Sequence, residues 1–366
     1  MLEDLELLLL LSYTEAPPSH VFKWLEEHGY SYKASRSLLE AARSDEESGS
    51  RHALRTILGE KVSRLETKLE TFSRKSESLA EIFSITLLSA PLMLYSLALF
   101  NPRMVAPLTL ALMTLNAVII FTYSSVYPRE LRALKVGPIQ VILAALPFAS
   151  LALLSLPPAL VLAALAAFSL PGFLYNFTLV TRVQRELREN LELLVRVASA
   201  PFHAFKTVKP EKLLAGKFVS NLTPSVRLSL FLSAYWGTDR EAMLGLKNTY
   251  EKILRILHSL QARALLNGLT NLVGLFLLGF ASSLISQLLE SIARVELLQS
   301  VGVPADVRGL EQWFLAYLLF ACMAYSGGIS ALSFGTPLLL PLWLPAAALA
   351  ALAGLSAGRN LVIIHG

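Results

Sequence analysis

Several stretches of this chain run for at least 18 residues without a charged side chain, and between Val136 and Thr181 there is none at all. A helix needs about 20 apolar residues to cross roughly 30 Å of hydrocarbon, whereas a surface helix of a soluble domain keeps one polar face. The chain therefore reads as an all-α, polytopic membrane protein. Composition agrees, with 54% apolar and 16% charged residues among 366.

Seven membrane helices are expected, near 80–100, 104–126, 138–156, 158–180, 265–289, 313–333 and 337–357. Proline cannot continue a helix from its N-terminal side, so Pro157-Pro158 marks a tight turn between the third and fourth spans. Asn101-Pro102 and Gly335-Thr336-Pro337 serve the same purpose between the first two and the last two. Orientation follows from Lys and Arg, which cytoplasmic loops retain. With the N-terminus inside, segments 1–79, 127–137 and 181–264 are cytoplasmic and hold all but four of the 32 basic residues, the exceptions being Arg103, Arg294, Arg308 and Arg359. Arg129, Arg132 and Lys135 carry most weight, because they lie in a short loop directly between two spans. An odd number of spans leaves the C-terminus external. The acidic start, Met1-Leu2-Glu3-Asp4, is unlike a secretory leader, and the mature chain is expected to begin at Met1.

The expected division is a cytoplasmic helical module at 1–79, spans at 80–126, a basic loop at 127–137, a hairpin of spans at 138–180 and a second cytoplasmic module at 181–264. Spans then occupy 265–357, with an external loop near 290–312 and an external tail at 358–366. The first module opens with an apolar helix at 2–12, breaks at Pro17-Pro18, resumes with Ser19 as N-cap and ends at Gly29. A helix near 33–43 leads through the polar stretch 44–50 to a long helix from about Arg51. In that helix Leu54, Leu58, Val62, Leu65, Leu69 and Phe72 recur at spacings of three and four on the way into the first span. The second module opens with a helix at 182–200 whose apolar face is Leu187, Leu191, Leu194 and Val195, closed by Pro201. Thr238 and Glu241 form a capping box opening a helix that carries Met243, Leu246, Tyr250, Ile253, Leu254 and Leu257 into the fifth span. Each module thus ends in a helix that becomes a span, a plan that suggests duplication.

Enzyme chemistry is not evident. Ala215-Gly216-Lys217-Phe218 lacks the first glycine and the hydroxyl of a phosphate loop. The six histidines lack the i, i+4 partner of a zinc hydrolase, Ser326-Gly327-Gly328 reads as a close helix contact or a turn, and the lone Cys322 reads as a packing residue. No catalytic, cofactor or metal residues are assigned. Transport would use ionisable groups within the spans, which carry essentially none. Their polar residues, Asn116, Gln140, Asn176, Asn267, Asn271 and Gln287, are read as interhelical hydrogen-bonding groups. Ala346, Ala350, Gly354 and Gly358 repeat every four residues in the last span and are assigned to close helix packing, in the bundle or in a homodimer or higher oligomer. Residues 181–264 carry 14 basic and 7 acidic residues, against 11 and 14 in residues 1–79. The two could dock on each other, or the basic one could face an acidic partner or anionic lipid. Acids interleaved among the basic residues disfavour nucleic acid.

Together these features resemble the F-type inner-membrane platform proteins of type II secretion, type IV pilus and archaellum machines, the archaeal version above all. The resemblance rests on Arg64-Leu65-Glu66 through Ser76-Glu77-Ser78-Leu79-Ala80-Glu81-Ile82-Phe83, on Ala90-Pro91-Leu92, and on Arg182 through Leu191. Gly237-Thr238-Asp239-Arg240-Glu241-Ala242, and Gly327-Gly328-Ile329 as a small-residue turn, add to it. Ala200-Pro201-Phe202-His203 departs from it, standing where a glycine-bearing turn is usual, and the first module is short. The resemblance implies a non-catalytic platform in the cell membrane that couples a secretion-type hexameric ATPase to the movement of pilin-like subunits. It places partner docking on Arg182, Arg185, Arg188, Glu189, Thr238 and Glu241. A multi-pass permease or channel is the alternative, permitted by the Asn and Gln residues. An enzyme acting on lipid or peptide is disfavoured, because no Asp, His or Ser-Lys cluster shares one depth.

Overall fold

The computed structural model describes residues 4–98, 104–128, 131–199, 213–214, 218–237, 240–293 and 307–365. These residues form helices α1 (Asp4–Tyr13), α2 (Pro18–Glu27), α3 (Arg36–Ser48), α4 (His52–Ser84), α5 (Ala90–Ala98) and α6 (Val105–Val126). After them come α7 (Pro138–Ala145), α8 (Pro158–Ser199), α9 (Thr223–Trp236), α10 (Arg240–Ala293), α11 (Val307–Phe334) and α12 (Leu344–His365). A π-helical turn at Ile85–Ser89 joins α4 to α5, and 3-10 segments at Leu146–Leu153 and Pro337–Leu342 follow α7 and precede α12. No β-strand forms among the described residues. The chain divides into two compact units, one of residues 1–71, 128–135 and 179–259, the other of 72–127, 136–178 and 260–366. The segments expected as separate modules at 1–79 and 181–264 thus fall largely into a single unit.

The first unit is built on α1, whose leucines from Leu7 to Leu11 are all buried. A helix apolar on every side requires neighbours on every side, and α3 and α9 are among them. Helix α9 lies in a stretch not expected to be helical. It begins with Pro224 in its first turn, where the missing N–H has no helical partner to lose, and it buries Val226, Leu228, Leu230 and Leu232. Leu54, Leu58, Val62 and Leu65 form the buried stripe of α4, and each buried leucine contributes about 1.5–3 kcal/mol. Met243, Leu246, Tyr250, Ile253, Leu254 and Leu257 do the same on α10. Tyr13 lies against Gly245, where a Cβ would meet its ring at 2.7 Å, and its hydroxyl pairs with Thr249 at 3.0 Å.

Three local expectations are corrected. Pro17, not Ser19, takes the N-cap position of α2, with Pro18 at the first helical position, while the Ser19 hydroxyl bonds the Glu46 carboxylate. The polar stretch expected to connect at 44–50 is helical through Ser48. Asp45 in it is buried, and its carboxylate accepts from the amides of Ala53 and Leu54 at 2.9 and 2.8 Å, capping α4. Gly49, at φ 66°, supplies the left-handed turn between them. On α8 the buried stripe is Val183, Leu187, Asn190, Leu194 and Val197, and Val195, expected inside, is 43% exposed. The true stripe advances by three and four residues through Asn190, which an apolar count passes over.

Among the described residues, five helices that lie wholly or partly in the second unit are long and apolar enough to cross a membrane: His52–Leu94, α6, α8, Arg240–Leu288 and Gly309–Phe334. They overlap the first, second, fourth, fifth and sixth expected spans. The apolar window of α11 is 89% buried, against 22–39% for the other four, so α11 is the central helix of this unit. It packs on α6, α12, the π turn and the 3-10 segment at 337–342. Outward faces carry Phe121 at 74% and Ile142 at 68% exposure, values that suit lipid and not water. In place of a regular third span, α7 gives way after eight residues to the 3-10 segment that contains Pro147. Gly327 and Gly328 lie inside α11 and not in a turn, with the Phe83 ring 3.2 Å from where a Gly328 Cβ would stand.

Candidate functional site

A cleft of about 950 Å³ opens in the first unit. Its floor is set by the start of α1, where Asp4 pairs with Lys61 of α4 at 2.7 Å and accepts from the Ser35 amide at 2.7 Å. Partial burial works against ionisation of Asp4, but the hydrogen bonds from Lys61 and Ser35 outweigh it and hold the carboxyl below its ordinary value. Lys61, Arg64 and Lys68 share one face of α4, at the three- and four-residue spacing that places side chains in a row. Lys33 comes from the connection between α2 and α3, and Arg132 and Lys135 from the loop before α7.

That loop is fixed by backbone pairing. Leu134 and Ser220 form an isolated antiparallel bridge, the Asn221 amide donates to the Ala133 carbonyl at 2.9 Å, and the Asn221 side chain donates to the Arg132 carbonyl at 2.8 Å. Segment 219–223 is held in turn by Glu186 of α8, whose carboxylate accepts from the amides of Val219 and Ser220 and from the Thr223 hydroxyl. Behind it, the buried Asn190 donates to Thr223 at 3.1 Å and accepts from Arg227 Nε at 2.6 Å. The Tyr250 hydroxyl completes the group by donating to the Leu187 carbonyl at 3.3 Å. Burial pushes Tyr250 upward and Arg227 downward from their ordinary pKa values. A network this fully paired makes a rigid mount, because each member would be costly to leave unpaired.

The residues assigned to docking lie elsewhere. Arg182, Arg185 and Arg188 are exposed on α8, Glu189 is 53% exposed and 3.7 Å from Arg227, and Glu241 is exposed in the first turn of α10. Thr238 lies outside the described residues, as do Asp239, Asn101-Pro102, Pro201 and most of the expected 290–312 loop. None of the five described docking residues lines the cleft. Glu186 and Asn190, inside the segment singled out in sequence, were passed over; a carboxylate and an amide on the inward stripe of α8 were the available signal.

The assigned packing stripe on α12 is shifted. Gly354 and Gly358 meet α10, where an added Cβ would run into the Phe276 and Phe280 carbonyls. Ala346 is exposed and Ala350 only half-buried; Ala347 and Ala351 are buried instead. A helix turns every 3.6 residues, so a strict four-residue repeat drifts off the face that 347, 351, 354 and 358 hold. Gly279 of α10 reciprocates against the Ala351 carbonyl.

Among the polar span residues, Asn116 accepts from Thr86 at 2.9 Å and Asn271 from Ser84 at 2.6 Å, both between helices. Gln140 instead caps its own helix at Gly137, and Gln287 donates to Ser283 one turn back. Both amide atoms of Asn176 are buried without a hydrogen-bond partner among the described residues. Glu81 is exposed, and the buried Cys322 thiol donates to the Ala347 carbonyl. No cluster of three His, Cys, Asp or Glu placed to hold a metal occurs among the described residues. Compared with known proteins, the chain matches no family model, no curated protein and no solved structure.

Proposed function

We propose that this chain is a non-catalytic membrane platform of a type II secretion or type IV pilus-like assembly machine, coupling a cytoplasmic hexameric ATPase to the movement of pilin-like subunits out of the membrane. The observation that carries the reading is the continuity of α4, α8 and α10. Each begins or ends in a charged, amphipathic stretch of one unit and runs without a break into the apolar stretch of the other. Consecutive backbone hydrogen bonds make such helices stiff, so a rotation or axial stroke applied at one end reaches the other. The sequence resemblance supplies the identity of the machine.

In this reading the chain spans the cell membrane seven times, with its N-terminus cytoplasmic and its C-terminus external. The two further spans are Pro138–Leu153 and α12. Eight α-helical and eight 3-10 residues rise about 28 Å together, because the 3-10 helix is the more extended of the two. Prolines beside Arg74 or Arg263 test the idea. Lys75→Pro or Ala262→Pro is expected to abolish filament assembly while the protein still inserts in the membrane at wild-type levels. Unchanged assembly would refute force transfer through these helices. Purification of the full chain from native membranes, with mass spectrometry of its companions, tests the partners: a secretion-type ATPase or pilins supports the platform, and neither refutes it.

One observation favours a second reading, a multi-pass permease. The Asn176 amide, buried near the end of the fourth span with no hydrogen-bond partner among the described residues, is the kind of group that contacts a solute. Solute flux into liposomes containing the pure protein, lost in Asn176→Leu, would establish that alternative.

A further inference from the structure

We infer that the cleft of the first unit is a binding site for a phosphate-bearing anion, presented by a lipid headgroup or free in solution. The inference does not depend on the platform reading, since it rests on the cleft alone. Six basic side chains converge there, Lys33, Lys61, Arg64, Lys68, Arg132 and Lys135, against two acidic ones, Asp4 and Glu6. Asp4 is paired with Lys61, and Arg64 lies 3.6 Å from Glu60, which is outside the cleft lining. Basic groups outnumber acidic ones along the cleft wall, and clustering like charges around a concave surface raises the energy of the empty site. A bound phosphate group offsets that repulsion.

The geometry suits such a ligand in three further respects. The six groups come from three separate stretches of chain, so they surround a volume and do not form one solvated helix face. Arg64 and Arg132 can each offer paired N–H donors to phosphate oxygens, and the lysines add point charges. Tyr30, Ser31 and Asn221 line the same cleft and can donate to further oxygens. The cleft's volume, about 950 Å³, admits a headgroup or a nucleotide-sized anion.

Chain connectivity ties the loop side of the cleft to neighbouring apolar helices. Lys135 precedes Pro138, the start of α7, by three residues, so at most about 10 Å of chain separates it from that apolar helix. Arg132 follows the end of α6 by six residues, at most about 21 Å. Loop 131–135 cannot retreat from the cleft, because Asn221 and the Leu134–Ser220 bridge hold it there. A phosphate group in the cleft is therefore met from the loop side and from α4 together. Nothing in the distribution of charge along the sequence announces this site. Four of its six basic residues come from the 1–79 segment, which is acidic on balance.

The test uses the full-length protein in neutral detergent. Native mass spectrometry follows binding of short-chain phosphatidylglycerol, with phosphatidylcholine as the zwitterionic control, and calorimetry follows binding of inorganic pyrophosphate. The probe variant combines Lys33→Glu, Arg64→Glu and Lys135→Glu, all at exposed side chains, and the control variant combines Lys23→Glu, Arg43→Glu and Arg196→Glu, exposed in the same unit but outside the cleft. Wild type is expected to bind phosphatidylglycerol or pyrophosphate in preference to phosphatidylcholine, with affinity falling as salt rises. The cleft variant should weaken that binding about tenfold or more and the control less than about twofold. Should the triple variant unfold, Lys33→Gln and Lys135→Gln singly serve, each weakening binding by about two- to fivefold. Saturable lipid binding that pyrophosphate does not displace assigns the headgroup as source; pyrophosphate binding that displaces lipid assigns a soluble phosphate. Binding of neither probe above phosphatidylcholine, or equal losses in the cleft and control variants, overturns the site.

Discussion

Asp45 decides where α3 stops and α4 starts. Its buried carboxylate takes the Ala53 and Leu54 amides that no helical carbonyl can reach, and it also accepts from the Ser50 hydroxyl at 3.2 Å. Asp45→Ala leaves those donors unpaired and should lower the stability of the full chain by about 2 kcal/mol, read from denaturant unfolding in detergent; Asp45→Asn should cost less. Asp4 makes a pH-dependent contribution. Its folded pKa lies below the ordinary 3.8, so the stabilisation is present above that value and is lost as pH falls through the depressed folded value. The difference in melting temperature between wild type and Asp4→Asn should therefore be full well above pH 3.8 and shrink progressively as pH falls below it. A difference that stayed constant would mean that the pair with Lys61 does not stabilise the fold. Both acids were visible in the sequence, Asp4 in the acidic start and Asp45 in the polar stretch 44–50, but their partners lie 5 to 57 positions away along the chain.

At the scale of elements, helix contact in the second unit is governed by where no side chain stands. Backbone meets backbone at Gly279 and Gly354, the kind of approach that drives association in lipid, where burying apolar surface gains nothing. Gly354→Leu should separate α10 from α12 and destabilise the unit by about 3 kcal/mol, whereas Gly327→Ala, whose nearest neighbours stand at 3.8 Å, should change stability by less than about 0.5 kcal/mol. Loss of an engineered disulfide between the two helices would report the separation. The π turn at Ile85–Ser89 illustrates the converse. Widening the helix there turns carbonyls outward, and the Tyr317 hydroxyl on α11 lies 3.0 Å from those of both Thr86 and Leu87. Tyr317→Phe should cost about 1 kcal/mol in thermal unfolding, and no loss would show that the turn is stable without it.

At the scale of the molecule, each unit has the surface that its solvent requires. The first hides its apolar helix α1 and exposes charge; the second hides α11 and exposes hydrocarbon. In intact membranes, Phe121→Cys and Ile142→Cys should resist a water-soluble maleimide, while Lys23→Cys and Arg43→Cys label fully. The native Cys322, buried between helices, should stay unlabelled in all four. Labelling of Phe121→Cys would place that exposed face in water and remove the membrane reading of α6.

The sequence by itself determined the apolar stretches that could span a membrane, the amphipathic stripes of α4 and α10, and the turns at Pro157-Pro158 and Gly335. These follow from local physics: hydrophobic length, a 3.6-residue period, and the backbone limits of proline and glycine. Only tertiary structure decided that 1–71 and 179–259 share one core, that α12 packs through Ala347, Ala351, Gly354 and Gly358, and that six basic residues face one cleft. Each of those depends on pairing between residues far apart in the chain, and a hydrophobic or charged pattern within one segment records a helix face without recording what lies opposite it. Helix α9 went unread for a related reason. Serines 225, 229 and 233 break its apolar pattern, yet they are buried, and Ser225 and Ser229 return their hydroxyls to backbone carbonyls. Burial satisfied by such a bond is invisible to a scale that counts serine as polar.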